Sequence, residues 1–93
     1  MSATVVVPPV LREHTGGRDE VTLVGSPGTV REALAALFAA HPGLRDRLVG
    51  ETGQLREHIN VFVDGENIRH AAGVETAVGA DTELTILPAI SGG

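Results

Sequence analysis

Short runs of alternating or β-branched residues predict four strands along the chain. Residues 4–7 (TVVV) form the first, and two prolines follow that would remove hydrogen-bond donors from a longer strand. Residues 20–24 and 82–87 alternate polar and apolar side chains with the period of two that a half-buried strand shows. Residues 59–63 (INVFV) are predicted as another strand, which stops at Asp64-Gly65, a dipeptide favoured in tight turns with positive φ.

The most clearly patterned segment is a single amphipathic helix. Thr29 and Glu32 have the spacing of a capping box, in which the Thr side chain accepts from the Glu amide and the Glu side chain reaches back. Apolar residues then recur at helical spacing along one face: Val30, Leu34, Leu37 and Phe38. The pattern predicts a helix over residues 30–40, ended by the His-Pro-Gly of residues 41–43.

The segments between these elements carry weaker patterns. We expect irregular connections at residues 10–17, 25–28 and 49–56. A short turn is expected within residues 44–48, and a brief return strand within residues 66–69. Residues 71–80 contain spaced glycines and predict one irregular helical turn before the last strand.

The order of elements is β-β-α-β-(short β)-β, which favours an α+β fold of the β-grasp, or ubiquitin-like, type. In this arrangement the last strand lies parallel to the first in the centre of a mixed sheet, and one helix covers one face. A chain of 93 residues has room for one core. We therefore expect a single β-grasp domain over residues 1–87 and an extended C-terminal tail over residues 88–93.

Composition argues against several classes of function. The formal net charge is −5, and the chain has two Phe but no Tyr or Trp, so we expect no nucleic-acid partner. An acidic surface favours a basic protein partner, although ordinary solubility explains it as well. The N-terminal residues lack the features of a secretion signal, and the longest apolar run, residues 33–40, is too short for a membrane span. We predict a cytoplasmic protein with no membrane partner.

Side chains that perform catalysis or bind metals are scarce. The chain has no cysteine, and its seven basic residues are all arginine, which leaves no thiol and no lysine amine as a nucleophile. The histidines lack metal-ligand spacing and are expected to be solvated: His14, His41, His58 and His70. The sequence has no nucleophile elbow and no phosphate-binding loop. We therefore expect no metal, no cofactor and no enzyme activity of the chain's own.

The last six residues, PAISGG, pose the main question of the sequence. Glycine loses more conformational entropy on ordering than any other residue, so a diglycine terminus adds nothing to the stability of a fold. Either the pair is incidental, or the terminal carboxylate is the working group. Pro88 releases the chain directly from the predicted last strand, which makes the second interpretation more specific.

Four stretches of the sequence together form a family pattern. They are the first strand with its proline, Leu11-Arg12 with the following HTGG of residues 14–17, Asn60-Val61, and LTILPAISGG at residues 84–93. With these stretches, the chain resembles the ubiquitin-like sulfur carriers of the ThiS/MoaD family over essentially its whole length. HTGG and TILPAISGG are most similar to the CysO-type carriers used in actinobacterial cysteine biosynthesis. The chain departs from the family at Gly79-Ala80-Asp81, where Gly-Asp or Asp-Gly-Asp often precedes the last strand.

This resemblance implies a function for the tail. An ATP-dependent adenylating enzyme related to ubiquitin-activating enzymes, of the MoeB/MoeZ type, would convert the Gly93 carboxylate to an acyl adenylate. Sulfur would then replace AMP to give a thiocarboxylate. The rest of the tail would enter the partner's active site: Pro88, Ala89, Ile90, Ser91 and Gly92. Further implied partners are a downstream sulfur-incorporating synthase, pyridoxal-phosphate-dependent if the product is cysteine, and a metalloprotease that releases the product.

The partner surface and the pathway have alternatives at this stage. Phe62 is a candidate for contact with the activating enzyme but could equally belong to the core. A ubiquitin-like covalent modifier would use the same activated Gly93, and a plain β-grasp binding module would have an incidental ending. An enzyme is the reading with the fewest residues in its favour. Cysteine, thiazole, molybdopterin and thio-sugar synthesis would all need the same tail.

Overall fold

The computed structural model describes residues 2–25 and 28–88, which form a mixed sheet with one long helix. The strands are β1 (Ser2–Val6), β2 (Glu20–Val24), β3 (Gly28–Thr29), β4 (Ile59–Val63), β5 (Glu66–Asn67), β6 (Ala77–Val78) and β7 (Glu83–Pro88). The α-helices are α1 (Val30–Ala40) and α2 (Arg45–Leu48). Short 3₁₀ helices cover Pro9–Thr15, Pro42–Leu44, Ile68–His70 and Gly73–Glu75.

The main sheet has the strand order β2-β1-β7-β4-β5. β7 lies in its centre, parallel to β1 and antiparallel to β4. The register with β1 runs from Glu83 to Thr85, whereas the register with β4 runs from Leu84 to Pro88. The predicted β-grasp fold, in which the first and last strands lie side by side, is confirmed.

One face of this sheet carries the hydrophobic core. Alternate residues of the central strands are buried there, among them Val5, Val61 and Leu84. The residues of α1 that are buried in the same cluster are Val30, Ala33, Leu34 and Leu37. Each large aliphatic side chain contributes about 1.5–3 kcal/mol by leaving water, so this cluster is the main source of stability.

α1 begins at the predicted capping box. The Thr29 hydroxyl oxygen accepts a hydrogen bond from the Glu32 amide at 3.2 Å, and the hydroxyl donates to the Glu32 carboxylate, also at 3.2 Å. Gly28, just before the cap, has a φ of 92°, a left-handed value that favours glycine. The predicted bounds of the helix are confirmed, and His41 caps its C-terminal end.

The expected loop over residues 10–17 is largely a 3₁₀ helix, Pro9–Thr15. Pro9 has the fixed φ that suits a first helical turn, and Leu11 is buried in the core. Thr15 is also buried, and its hydroxyl lies 2.8 Å from the Arg18 carbonyl oxygen. Seven residues are too few to show an apolar period, so the sequence pattern does not predict this element.

Two further segments differ from the prediction. β3 and β6 pair in a separate small sheet beside the start of α1, and strands of two residues cannot show a period. Ser26 and Pro27, in the expected break before β3, lie outside the described residues. Residues 49–56 are not a plain surface connection, because Val49 is buried and forms a β-bridge with Leu55.

The remaining predicted connections are confirmed. Asp64 and Gly65 form the tight turn after β4, with φ values of 48° and 88°. The brief return strand is β5, the short turn is α2, and the irregular turn is the 3₁₀ helix Gly73–Glu75.

Candidate functional site

The end of β7 is the point from which the predicted tail continues. The sequence pattern predicts Pro88 as the first residue of that tail, but Pro88 is the last residue of β7 and lies opposite Ile59. Proline has no amide hydrogen and cannot donate to a longer ladder. The other predicted site residues of the tail lie outside the described residues: Ala89, Ile90, Ser91, Gly92 and Gly93.

This end of β7 extends past β1. The pairing with β1 stops at Thr85, while the pairing with β4 continues to Pro88. Among the described residues, the last part of β7 is therefore held within the sheet by β4. We call this end of β7, with Pro88 and the facing Ile59, the tail root.

The sheet face turned away from α1, here called the open face, carries Phe62 on the same strand pair as the tail root, three residues along β4 from Ile59. Side chains alternate along β4, and Val61 and Val63 belong to or pack against the core. Phe62 is half-buried, lies outside the core cluster and faces Thr85 of β7 in the register. Of the two alternatives for Phe62, the structure therefore favours the surface position.

Leu87 lies on the same open face and is not among the site residues predicted from the sequence. It is 46% exposed and pairs with Asn60. It follows Thr85 by two residues, which makes it a diagonal neighbour of Phe62 at a distance of about 7–8 Å. The alternation of the last strand could have identified Leu87, because it places Leu87 on the opposite side of the sheet from the buried Leu84 and Ile86.

Two hydrogen-bonded asparagines lie beside Phe62 and Leu87: Asn67 pairs with Phe62, and Asn60 pairs with Leu87. The Asn67 side-chain amide donates to the Asn60 side-chain oxygen at 3.3 Å. The Asn67 side-chain oxygen also accepts from the Arg69 amide at 2.9 Å. Asn60, part of the family pattern in the sequence, lies opposite Leu87. The hydrogen bond from Asn67 of β5 orients its side chain.

Groups suited to metal binding do not cluster in residues 2–25 and 28–88. His14 and His41 are half-buried, and His58 and His70 are exposed. In that part of the chain, no three metal-ligating side chains lie together. The expected absence of a bound metal stays a prediction. No helix among the same residues has the length and apolar character to cross a membrane.

Comparisons with known proteins identify relatives over the full length of the chain. A family model described as the ThiS family matches residues 5–93. The chain is 36% identical to the sulfur carrier protein CysO of Mycobacterium tuberculosis over 95 residues, covering 100% of both proteins. It is 42% identical to small archaeal modifier protein 1 of Haloferax volcanii over 83 residues, 89% of this chain and 91% of that protein. A chain in the crystal structure of the Amycolatopsis orientalis BexX/CysO complex has a TM-score of 0.87 and 42% identity, covering 98% of this chain and 99% of that one.

Proposed function

Since this chain belongs to the ThiS family, we propose that it is a sulfur carrier whose Gly93 carboxylate becomes a thiocarboxylate. A carboxylate is a poor electrophile, so an adenylating enzyme of the MoeB/MoeZ type first joins it to the AMP part of ATP and releases pyrophosphate. A sulfur nucleophile then attacks the acyl carbon and displaces AMP. The product is a C(O)S⁻ group at the end of the tail.

The observation that carries this proposal is the match to the CysO sulfur carrier over 100% of both chains. The composition supports it. Without cysteine or lysine, the chain has no thiol or side-chain amine that could capture its own activated carboxyl group. A protein that carries an acyl adenylate benefits from side chains that do not react with it.

The position of the tail root supports a tail that enters a partner. Five residues beyond Pro88 span at most about 18 Å, at 3.3–3.6 Å per residue. We propose that Gly93 enters the active site of the enzyme together with Ala89, Ile90, Ser91 and Gly92. Pro88 then lies at the entrance, and the β-grasp domain, residues 1–87, stays outside. The glycine at position 92 lets the backbone approach the nucleotide phosphates closely.

The open face supplies the second part of this interface. Ordering five tail residues costs about 5–10 kcal/mol, whereas each backbone hydrogen bond returns only about 0.5–1.5 kcal/mol. The folded domain therefore has to contribute binding energy. Phe62 and Leu87 are apolar open-face residues of the strand pair β4–β7, which ends at the tail root, and we propose that they contact the activating enzyme.

The thiocarboxylate passes its sulfur to a downstream synthase. The similarity to CysO favours cysteine formation on a pyridoxal-phosphate enzyme, with a metalloprotease releasing the product from the tail. A cofactor or thio-sugar synthase would use the same tail. The solved complex of CysO with BexX supports docking of a folded carrier on a second protein. Intact mass after incubation with each purified synthase and its substrate identifies the acceptor: a loss of sulfur indicates direct transfer, whereas a gain in mass indicates a product that stays on the tail until the protease releases it.

Intact-mass spectrometry tests the central step. The chain is incubated with a MoeB/MoeZ-type enzyme, ATP and sulfide, and it should gain the mass difference between sulfur and oxygen. A variant with one additional residue after Gly93 is the matched control and should gain nothing. If adenylating enzymes from the same genome never convert the unaltered chain, the proposal is wrong.

A covalent protein modifier is the second candidate, and the 42% identity to small archaeal modifier protein 1 favours it. In that case, the activated Gly93 forms an isopeptide bond with a lysine of another protein. Arg69 is the last arginine and the chain has no lysine, so trypsin would leave residues 70–93 attached to each target lysine. Peptides with this branch, found in cell extract, would establish the modifier function. Their absence beside abundant thiocarboxylate would favour the carrier alone.

A further inference from the structure

Three arginines that are far apart in the sequence lie on the segments next to Ile59, on the β4 side of the tail root. Arg47 and Arg56 line a cavity of about 280 Å³ together with Asp46 and His58. The Arg69 guanidinium donates to the carbonyl oxygens of Glu57 at 2.8 Å and Ile59 at 3.0 Å. Ile59 is the residue that faces Pro88. We call Arg47, Arg56 and Arg69 the tail-root arginines.

Backbone carbonyls, not carboxylates, hold two of these guanidinium groups. Arg56 Nε donates to the Asp46 carbonyl oxygen at 3.0 Å, as Arg69 does to Glu57 and Ile59. In residues 2–25 and 28–88, the ion pairs join Arg31 to Glu75 and His14 to Glu13, and none involves a tail-root arginine. Carbonyl contacts orient a guanidinium without neutralising it, so these groups keep their charge and their remaining donors.

The local charge is opposite to that of the whole chain. Asp46 lies in the same cavity and Glu57 is adjacent to Arg56 in the sequence, and both are exposed. Glu66 precedes Arg69 by three residues but pairs with Val63, at the opposite end of β4 from Ile59. The three arginines therefore outnumber the carboxylates on this side of Ile59. The chain as a whole has a net charge of −5. A positive patch on an acidic protein gives the molecule an electrostatic orientation toward a partner.

We propose that the tail-root arginines bind carboxylates at the entrance of the channel through which the activating enzyme admits the tail. This inference rests on the proposed function. The fully extended tail spans at most about 18 Å, so with Gly93 at the reacting centre, the surface around Ile59 lies against the channel entrance. The nucleotide adjoins Gly93, at the far end of the tail, and is out of reach for side chains at the root. Guanidinium groups match the planar geometry of Asp and Glu carboxylates. Acidic side chains of the enzyme around the channel entrance would therefore bind these arginines well.

Arg47 provides the cleanest test, because its side chain makes no hydrogen bond to the described residues, unlike those of Arg56 and Arg69. Arg47→Glu is compared with Arg18→Glu, an exposed arginine on the β2 side of the sheet whose side chain likewise makes no such bond. Both variants change the net charge equally, and a matching thermal melt shows that both are folded. The readout is adenylation by a purified MoeB/MoeZ-type enzyme that activates the unaltered chain.

We expect Arg47→Glu to raise KM for the carrier about tenfold at low salt, because it replaces an attraction with a repulsion, and Arg18→Glu to raise it less than twofold. The difference should shrink with increasing salt, since screening weakens exposed charge pairs. The KM of the Arg47→Gln variant should lie between those of the unaltered chain and the Arg47→Glu variant.

Equal KM values for the two Glu variants would overturn the proposal while the carrier function stands. An increase in KM for ATP with an unchanged KM for the carrier would also overturn the proposal, because the arginine would then act on the nucleotide. If no adenylating enzyme activates the unaltered chain, the proposed function itself fails.

Discussion

Pro88 at the end of β7 lies directly opposite Ile59, the first residue of β4. The pairing places the start of the tail beside a strand whose next residues on the open face are Asn60 and Phe62. The tail and the proposed docking surface therefore share one strand pair. A partner that holds the tail must also approach β4.

Deleting Gly93 should abolish activation and leave the fold unchanged. The deletion removes the reacting carboxylate from its position but no part of the described core. We expect no gain of sulfur mass and a free energy of unfolding within about 0.5 kcal/mol of the unaltered chain. Intact-mass spectrometry and urea denaturation check the two parts. A deletion variant that still acquires sulfur would contradict the assignment of Gly93.

Gly92→Ala should lower kcat/KM for adenylation at least about tenfold, because it adds a Cβ where backbone must approach the nucleotide and removes access to positive φ. Ser91→Ala is the control, since it removes a hydroxyl group and adds no bulk. We expect Ser91→Ala to keep activity within about twofold. Equal activity of the two variants would show that position 92 does not lie in a narrow part of the site.

Phe62→Ala should raise KM for the carrier by about thirtyfold, the loss typical of a buried aromatic anchor of an interface. Leu87→Ala should have a smaller effect in the same direction. Val24→Ala is the control on the same face, because Val24 is 92% exposed but pairs with Ser2, at the opposite end of the sheet from Pro88. If Val24→Ala weakens adenylation as much as Phe62→Ala, the docking surface is wrongly placed.

A synthetic peptide of residues 88–93 should be a poor substrate for the same enzyme. It begins with Pro88 and carries the whole tail with the reacting carboxylate. It lacks Phe62, Leu87 and the tail-root arginines. We expect kcat/KM at least about a hundredfold lower than for the protein, because the domain supplies the energy that orders the tail. Competition between peptide and protein in one reaction measures the ratio directly. Equal rates would show that the domain adds nothing to recognition.

Leu37→Ala and Leu87→Ala should separate stability from recognition. Leu37 is fully buried in the core, so its truncation leaves a cavity and should cost about 2–5 kcal/mol. Leu87 is 46% exposed on the open face, and the same truncation should cost about 1 kcal/mol or less. Urea denaturation of both variants provides the measurement. A larger loss for Leu87→Ala would mean that it packs as a core residue.

Local patterns in the sequence were sufficient for the existence and type of the long elements of the fold, although β1 is Ser2–Val6 and β7 is Glu83–Pro88 where the patterns predict residues 4–7 and 82–87. The bounds of α1, β2 and β4 agree with the prediction because each has a clear period and an unambiguous end, such as the capping box at Thr29. The 3₁₀ helix Pro9–Thr15 and the pairing of β3 with β6 were not predictable, because short elements depend on tertiary contacts more than on a repeating pattern.

The same distinction applies to the candidate site. The diglycine can be read directly from the sequence, and Phe62 could be proposed from its place in the predicted strand. The tail-root arginines could not be predicted, because only the fold places Arg47 and Arg56 in one cavity beside His58 and brings Arg69 to the Ile59 carbonyl oxygen. Leu87 required the register of β7 with β4.

The central position of β7 also determines how the domain responds to mechanical load. A partner that pulls on the tail pulls along the axis of β7, which is bonded to β4 on one side and to the parallel β1 on the other. Hydrogen bonds in a sheet run across the strands, so such a force shears many of them at once and does not unzip them one by one. Single-molecule stretching from Ser2 to the tail is expected to show one cooperative rupture at high force. Under the proposed function, a load that an enzyme applies to the last residues would thus leave the domain folded.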